Sequence, residues 1–104
     1  MFQDSYAVLW QEGDGPVSAG KLVLGPSSLC LETGTGRSRA SSQVFRYEEL
    51  ATVGNAAPAN RIRTRPTAIV ERSGRAPLAI AAVDGPGSTH EILERLAGVL
   101  AARP

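Results

Sequence analysis

Among its 104 residues the chain has one cysteine, Cys30, and one histidine, His90. A lone cysteine excludes an intrachain disulfide framework and a cysteine-based zinc site. A lone histidine leaves triad or His-cluster metal chemistry without its usual partners. Lysine occurs once, at Lys21, against ten arginines, a bias of composition as much as of function. Aromatic residues make up 5%, a thin supply for stacking on bases. No stretch reaches the ~18 apolar residues that a membrane span needs. The net charge of +1 creates no global field toward nucleic acid or membrane. Residues 1–5 lack a basic segment leading into an apolar run, so no secretory signal is expected. Phe2 follows the initiator Met, and Pro104 ends the chain without a prenylation box, so no lipid anchor is expected. The expected compartment is the cytoplasm, with membrane association only peripheral or through a partner.

What is present fits a folded domain. Apolar residues are 42% and charged residues 20%, a balance that supports one core. The length suits a single domain over residues 1–104, with 1–5 as a short tail. Eleven glycines and seven prolines punctuate the chain and favour short elements. Residues 6–12, 17–24, 29–33, 67–72 and 78–83 read as strands between turn clusters. Tyr6, Val8 and Trp10 share one face at period two, and so do Leu29 and Leu31. Tyr6 and Trp10 are read as core in preference to an exposed patch. Gly20, inside a strand, predicts a bulge or sharp bend. Residues 34–42 and 54–60 read as loops. The pieces 44–46 and 50–53 are expected to form one bent strand or a strand with a turn. Residues 61–65 alternate Arg61, Ile62, Arg63, Thr64, Arg65 and predict an edge strand, stopped by Pro66.

One amphipathic helix is expected over residues 88–102. Ser88 and Glu91 match a capping box. Ile92, Leu93, Leu96, Val99 and Leu100 form an apolar stripe at helical spacing. The fold class expected is mainly β with one helix: a partly open barrel of about seven antiparallel strands, capped by a C-terminal amphipathic helix.

Three segments resemble a known family. Gly20-Lys21-Leu22-Val23-Leu24 followed by Leu29-Cys30-Leu31 looks like a Gly-x-Leu-x-Leu turn-and-strand signature. Val44-Phe45-Arg46-Tyr47-Glu48-Glu49-Leu50 is similar to the strand that follows it, and residues 88–102 to a closing helix. Together they resemble the pleckstrin-homology-like superfold, in particular bacterial pleckstrin-homology and GRAM-type domains. The resemblance implies a two-sheet, partly open barrel plugged by the helix. It also implies a binding or scaffolding module rather than an enzyme, of a kind that in some cases assembles into rings. Phosphoinositide-binding members use a basic cluster at the first hairpin. Here that loop carries Glu12 and Asp14, with Lys21 the only cation nearby, so lipid binding does not carry over to it.

Local motifs add no catalytic constellation. The Gly-x-Gly pairs at Gly13/Gly15, Gly34/Gly36 and Gly85/Gly87 have Ser18, Arg39 and His90 where a dinucleotide fingerprint needs glycine. Residues 25–29 fail the nucleophile-elbow pattern at Leu29. Cys30 lies between two leucines and reads as a packing residue. His90 reads as a surface residue. The sharpest feature is charge: residues 37–75 carry eight arginines against Glu48, Glu49 and Glu71, a net +5. Arg61, Arg63 and Arg65 are the candidate partner-binding residues, extended by Arg37, Arg39 and Arg75 where the fold brings them near. No catalytic residue, metal ligand or cofactor is expected. The function expected is a noncatalytic interaction or scaffolding module, acting by protein binding or self-assembly through a sheet edge or groove. The alternative is a weak binder of anionic membrane or nucleic acid through the Arg-rich edge strand, with nucleic acid disfavoured.

Overall fold

A computed structural model describes residues 5–33 and 41–102. Its elements are β1 (Ser5–Glu12), β2 (Val17–Leu24), β3 (Ser28–Thr33), β4 (Ser41–Arg46), β5 (Leu50–Asn55), β6 (Ala68–Arg72), β7 (Arg75–Ala82) and α1 (Pro86–Ala101). All seven strands join in one antiparallel sheet, in the order β4-β3-β2-β1-β7-β6-β5. The two sheets implied by the resemblance are thus one continuous surface, because β1 pairs with β2 on one side and β7 on the other. The sheet curls into a half-barrel, and α1 packs over β5, β6 and β7.

Seven strands form, but not the seven read from the sequence. The segment expected as one bent strand or a strand with a turn is two strands, β4 and β5, with a single 3-10 turn between them at Tyr47–Glu49. That turn sends the chain from one edge of the sheet to the other. The expected strand at 61–65 is instead a 3-10 turn over Ile62–Thr64, with Arg63 at φ 49° and Thr64 at φ 62°. Left-handed backbone at two successive residues cannot continue a strand. Gly20 sits in regular register opposite Val8, so no bulge forms there against β1. The helix begins at Pro86, two residues earlier than expected, and no side chain among the described residues caps it. Proline suits a first helical position because its φ is already fixed and its missing N–H would be unsatisfied there. Ser88 lies inside the first turn, and the capping box does not form. Thr89 instead links the helix to the sheet: its buried hydroxyl oxygen accepts the Ala82 N–H at 2.9 Å.

The concave face holds the main core. Tyr6, Val8, Trp10, Leu22, Leu29, Leu31, Phe45, Leu50, Val70, Leu78 and Ile80 pack there with Ile92 and Leu96 of the helix. Each such aliphatic side chain contributes roughly 1.5–3 kcal/mol when buried. The convex face has a smaller core: Ile62 sits on Leu9, Ala79 and Ala81, flanked by Val17 and Ile69. Both faces of β7 are therefore covered from Leu78 to Ala82. This explains the Ala-rich run: small side chains let the 56–67 loop lie close.

Burial pushes the hydroxyls of Tyr6 and Tyr47 above the ordinary tyrosine value, opposed in each case by Arg95, and pushes the Cys30 thiol up, aided by Glu32. In all three the neutral form is favoured by folding. Their contribution to stability is complete below the unfolded-state values and is lost as pH climbs through the raised folded ones. Urea midpoints are expected to hold from pH 7 to about 8.5 and to fall above about pH 10. A midpoint that rises over that alkaline range would contradict the burial of these groups.

Candidate interaction surface

The two outer strands of the half-barrel, β4 and β5, each hydrogen-bond to a strand on one side only among the described residues. They are not equivalent. β5 shifts register against β6 between Leu50 and Thr52, and α1 lies across it. Irregular pairing and a covering helix are ordinary protections of an edge. β4 has neither device in its pairing: six consecutive residues, Ser41 to Arg46, match Thr33 to Ser28 without a shift. Ser41, Ser42, Gln43, Val44 and Phe45 bring no charge and no proline to the edge. Val44 is 61% exposed on the convex face. It lies opposite Cys30, which lies opposite Val23, so an apolar row crosses three strands and ends at the edge. Cys30 is half-buried in that row.

The arginines are arranged differently from the expected stripe. Arg61, Arg63 and Arg65 are all exposed. They ring Ile62, the residue that pins their loop to the convex face. Arg61 lines a groove of about 670 Å³ together with Asp14 and Glu71, so acidic groups share its surroundings. Arg65 turns the other way and donates to the Val83 carbonyl at 3.4 Å. Ala79, beside Arg61 in the groove, and Val83 are four residues apart, about 13 Å along the strand direction. The loop is closed by Thr67, whose hydroxyl oxygen accepts the Ile62 N–H at 3.0 Å and which donates to the Arg65 carbonyl at 2.8 Å. Arg75 stands at the β6–β7 hairpin opposite Arg72. Arg37 and Arg39 lie outside the described residues. The structure therefore does not gather Arg61, Arg63 and Arg65 into one row, and no Arg-rich edge strand exists among the described residues. Changing all three to Glu is expected to leave the melting temperature within a few degrees of wild type, since exposed charges contribute only about 0–1 kcal/mol each. A large drop would mean that the loop depends on their contacts.

A second groove of about 840 Å³ runs between the C-terminal end of α1 and the 3-10 turn, lined by Val99, Leu100, Tyr47 and Pro26. Its charged residues Arg46 and Glu48 pair with each other at 3.1 Å. The Tyr47 hydroxyl is spent on the Gly25 carbonyl at 2.8 Å. His90 is exposed, as expected, and stands 3.0 Å from Glu94 one helical turn on.

Arg72 is a position that the sequence reading missed. Its side chain is buried on the concave face. Nη2 donates to Glu12 at 2.8 Å and to the Ala76 carbonyl at 2.7 Å, and the guanidinium carbon lies 5.0 Å from the centre of the Phe45 ring. Nη1 has no hydrogen-bond partner among the described residues. The signal was available: Ala68, Val70 and Arg72 alternate onto one face, so an inward arginine follows from period two. Its contacts tie β6 to β1 and to β4, the strand that carries the open edge.

No family model matches the chain, and no curated protein matches it. Among solved structures it is similar to the C-terminal domain of an unknown protein from Leishmania infantum. The TM-score is 0.65 at 13% identity, over 92% of this chain and 84% of that one. At that identity the likeness concerns the fold alone.

No helix among the described residues is long and apolar enough to cross a membrane.

Proposed function

We propose that the chain is a noncatalytic interaction module of the pleckstrin-homology-like type that works in the cytoplasm by adding a strand from a protein partner to the edge of β4. The observation that carries this reading is the contrast between the two edges: β5 is irregular and covered, whereas β4 is regular, uncharged from Ser41 to Phe45, and bordered by exposed Val44. Strand addition draws affinity from main-chain hydrogen bonds and specificity from alternate side chains. The half-barrel of seven antiparallel strands with one C-terminal helix is a fold class compatible with such a module. The alternative, a weak binder of anionic membrane surface or nucleic acid, is less favoured here because Arg61, Arg63 and Arg65 lie on a 3-10 turn and not on an edge strand.

The test compares wild type with Val44→Lys. A lysine on an exposed edge strand opposes pairing, and a surface substitution is expected to change folding stability by no more than about 0.5 kcal/mol. Tagged wild type is expected to retain protein partners, further copies of itself included, that the folded variant loses. Equal retention by both proteins would overturn strand addition at β4.

A further inference from the structure

We infer that the strand added at β4 is the β4 of a second copy of this chain, paired antiparallel about a two-fold axis at Val44. The inference rests on the reading of β4 as the working edge. Directly opposite residues in an antiparallel pair point to the same face. A two-fold axis perpendicular to the sheet therefore places one residue opposite its own copy and keeps the two convex faces on the same side.

Centring the axis on Val44 gives each residue from Ser42 to Arg46 a compatible residue opposite it. Val44 meets Val44, joining the two apolar rows into one that runs Val23, Cys30, Val44 and back through the copy. Gln43 falls opposite Phe45, both on the concave side. Arg46, the strand's one charged residue, falls opposite Ser42, so no like charges face each other. Arg46 also keeps its own partner Glu48. Like charges directly opposite would be destabilising, and natural edges commonly use them to prevent this contact. Here no such barrier stands between Ser41 and Phe45. The interface is isologous and closed, so it stops at two copies.

Sedimentation of the purified chain across a concentration series, with Val44→Lys alongside, tests this together with a crosslinking variant. In Val44→Cys combined with Cys30→Ala, the two new thiols lie at opposite positions, about 4.5–5.5 Å between Cα atoms, within reach of a disulfide. In wild type the two Cys30 residues would stand three strand spacings apart, about 14 Å, too far to bridge. The expected result is a dimer in wild type, loss of that dimer in Val44→Lys, and oxidation of the Val44→Cys, Cys30→Ala variant to a covalent dimer while wild type stays uncrosslinked. A wild-type monomer at every concentration overturns the second-copy inference. If Val44→Lys nonetheless loses captured proteins, strand addition at β4 survives with a different donor; if it does not, both fall. A dimer that persists in Val44→Lys, or that fails to crosslink through residue 44, uses another surface and equally overturns the inference.

Discussion

Leu96→Asp is expected to leave the chain unfolded or molten at 25 °C, with far-UV and near-UV circular dichroism showing loss of fixed tertiary packing. Leu96 is 1% exposed and, with Ile92, forms the part of α1 that enters the concave core. The helix contributes little stability on its own, since most helical stability in proteins comes from packing an amphipathic face. It is held by burying that face and by the Thr89 link to Ala82. A carboxylate at Leu96 would have to desolvate among aliphatic groups, at a cost of several kcal/mol, or drive the helix off the sheet. Either outcome consumes most of a total stability of about 5–15 kcal/mol. Ala97→Asp is the matched control: it sits one residue on, is exposed, and should cost only about 1 kcal/mol, from helix propensity and the dipole. If Leu96→Asp melted beside that control, the helix would not be closing the half-barrel.

The same helix shows what the sequence reveals and what it hides. The stripe of Ile92, Leu93, Leu96, Val99 and Leu100 is legible because periodicity is a property of the segment itself, and all but Leu93 join the core. Its start is not, because Ser88 and Glu91 satisfy a capping pattern that competes with Pro86, and proline wins by fitting the first position. The strands β1, β2, β3, β6 and β7 are legible for the same local reason. Residues 61–65 mislead because the alternation of arginine with Ile62 and Thr64 mimics a strand. There the tertiary contact of one residue, Ile62, decides the conformation, and Arg63 and Thr64 take left-handed backbone to deliver it. A turn at Tyr47–Glu49 is within the expected alternatives, but that it parts two strands on opposite edges is hidden, because Tyr47, Glu48 and Glu49 include no glycine or proline. The candidate surface is the least legible part. That β4 is an edge depends on β5 pairing with β6 and not with β4, a choice that no local pattern in residues 41–55 encodes.

Gly20→Ala should be nearly as damaging as the helix variant, although it adds a single methyl group. A Cβ at Gly20 would lie 2.0 Å from the carbonyl oxygen of Glu32 and 3.1 Å from the edge of the Trp10 ring. The first of these is backbone, so no side-chain rotation relieves it. The requirement at Gly20 is close approach: β3 crosses near β2 there, and Trp10 lies over the space that a side chain would fill. Inserting even one methyl forces β3 away from β2 and opens the pairing at Lys21 and Glu32. Overpacking of this kind costs about 1–3 kcal/mol where side chains can adjust, and backbone contact places this case at or above the upper end. Gly54→Ala, in β5, supplies the contrast, since nothing lies within 4 Å of the added atom. It is expected to be neutral or to stabilise by up to about 1 kcal/mol by restricting the unfolded chain. Urea titration separates the two. Because β3 carries β4, the Gly20 variant should also speed amide exchange through residues 28–33 and 41–46 ahead of β5 to β7. A Gly20→Ala protein with wild-type stability would mean that β2 and β3 stand further apart than described, and the row from Val23 through Cys30 to Val44 would lose its alignment with the edge.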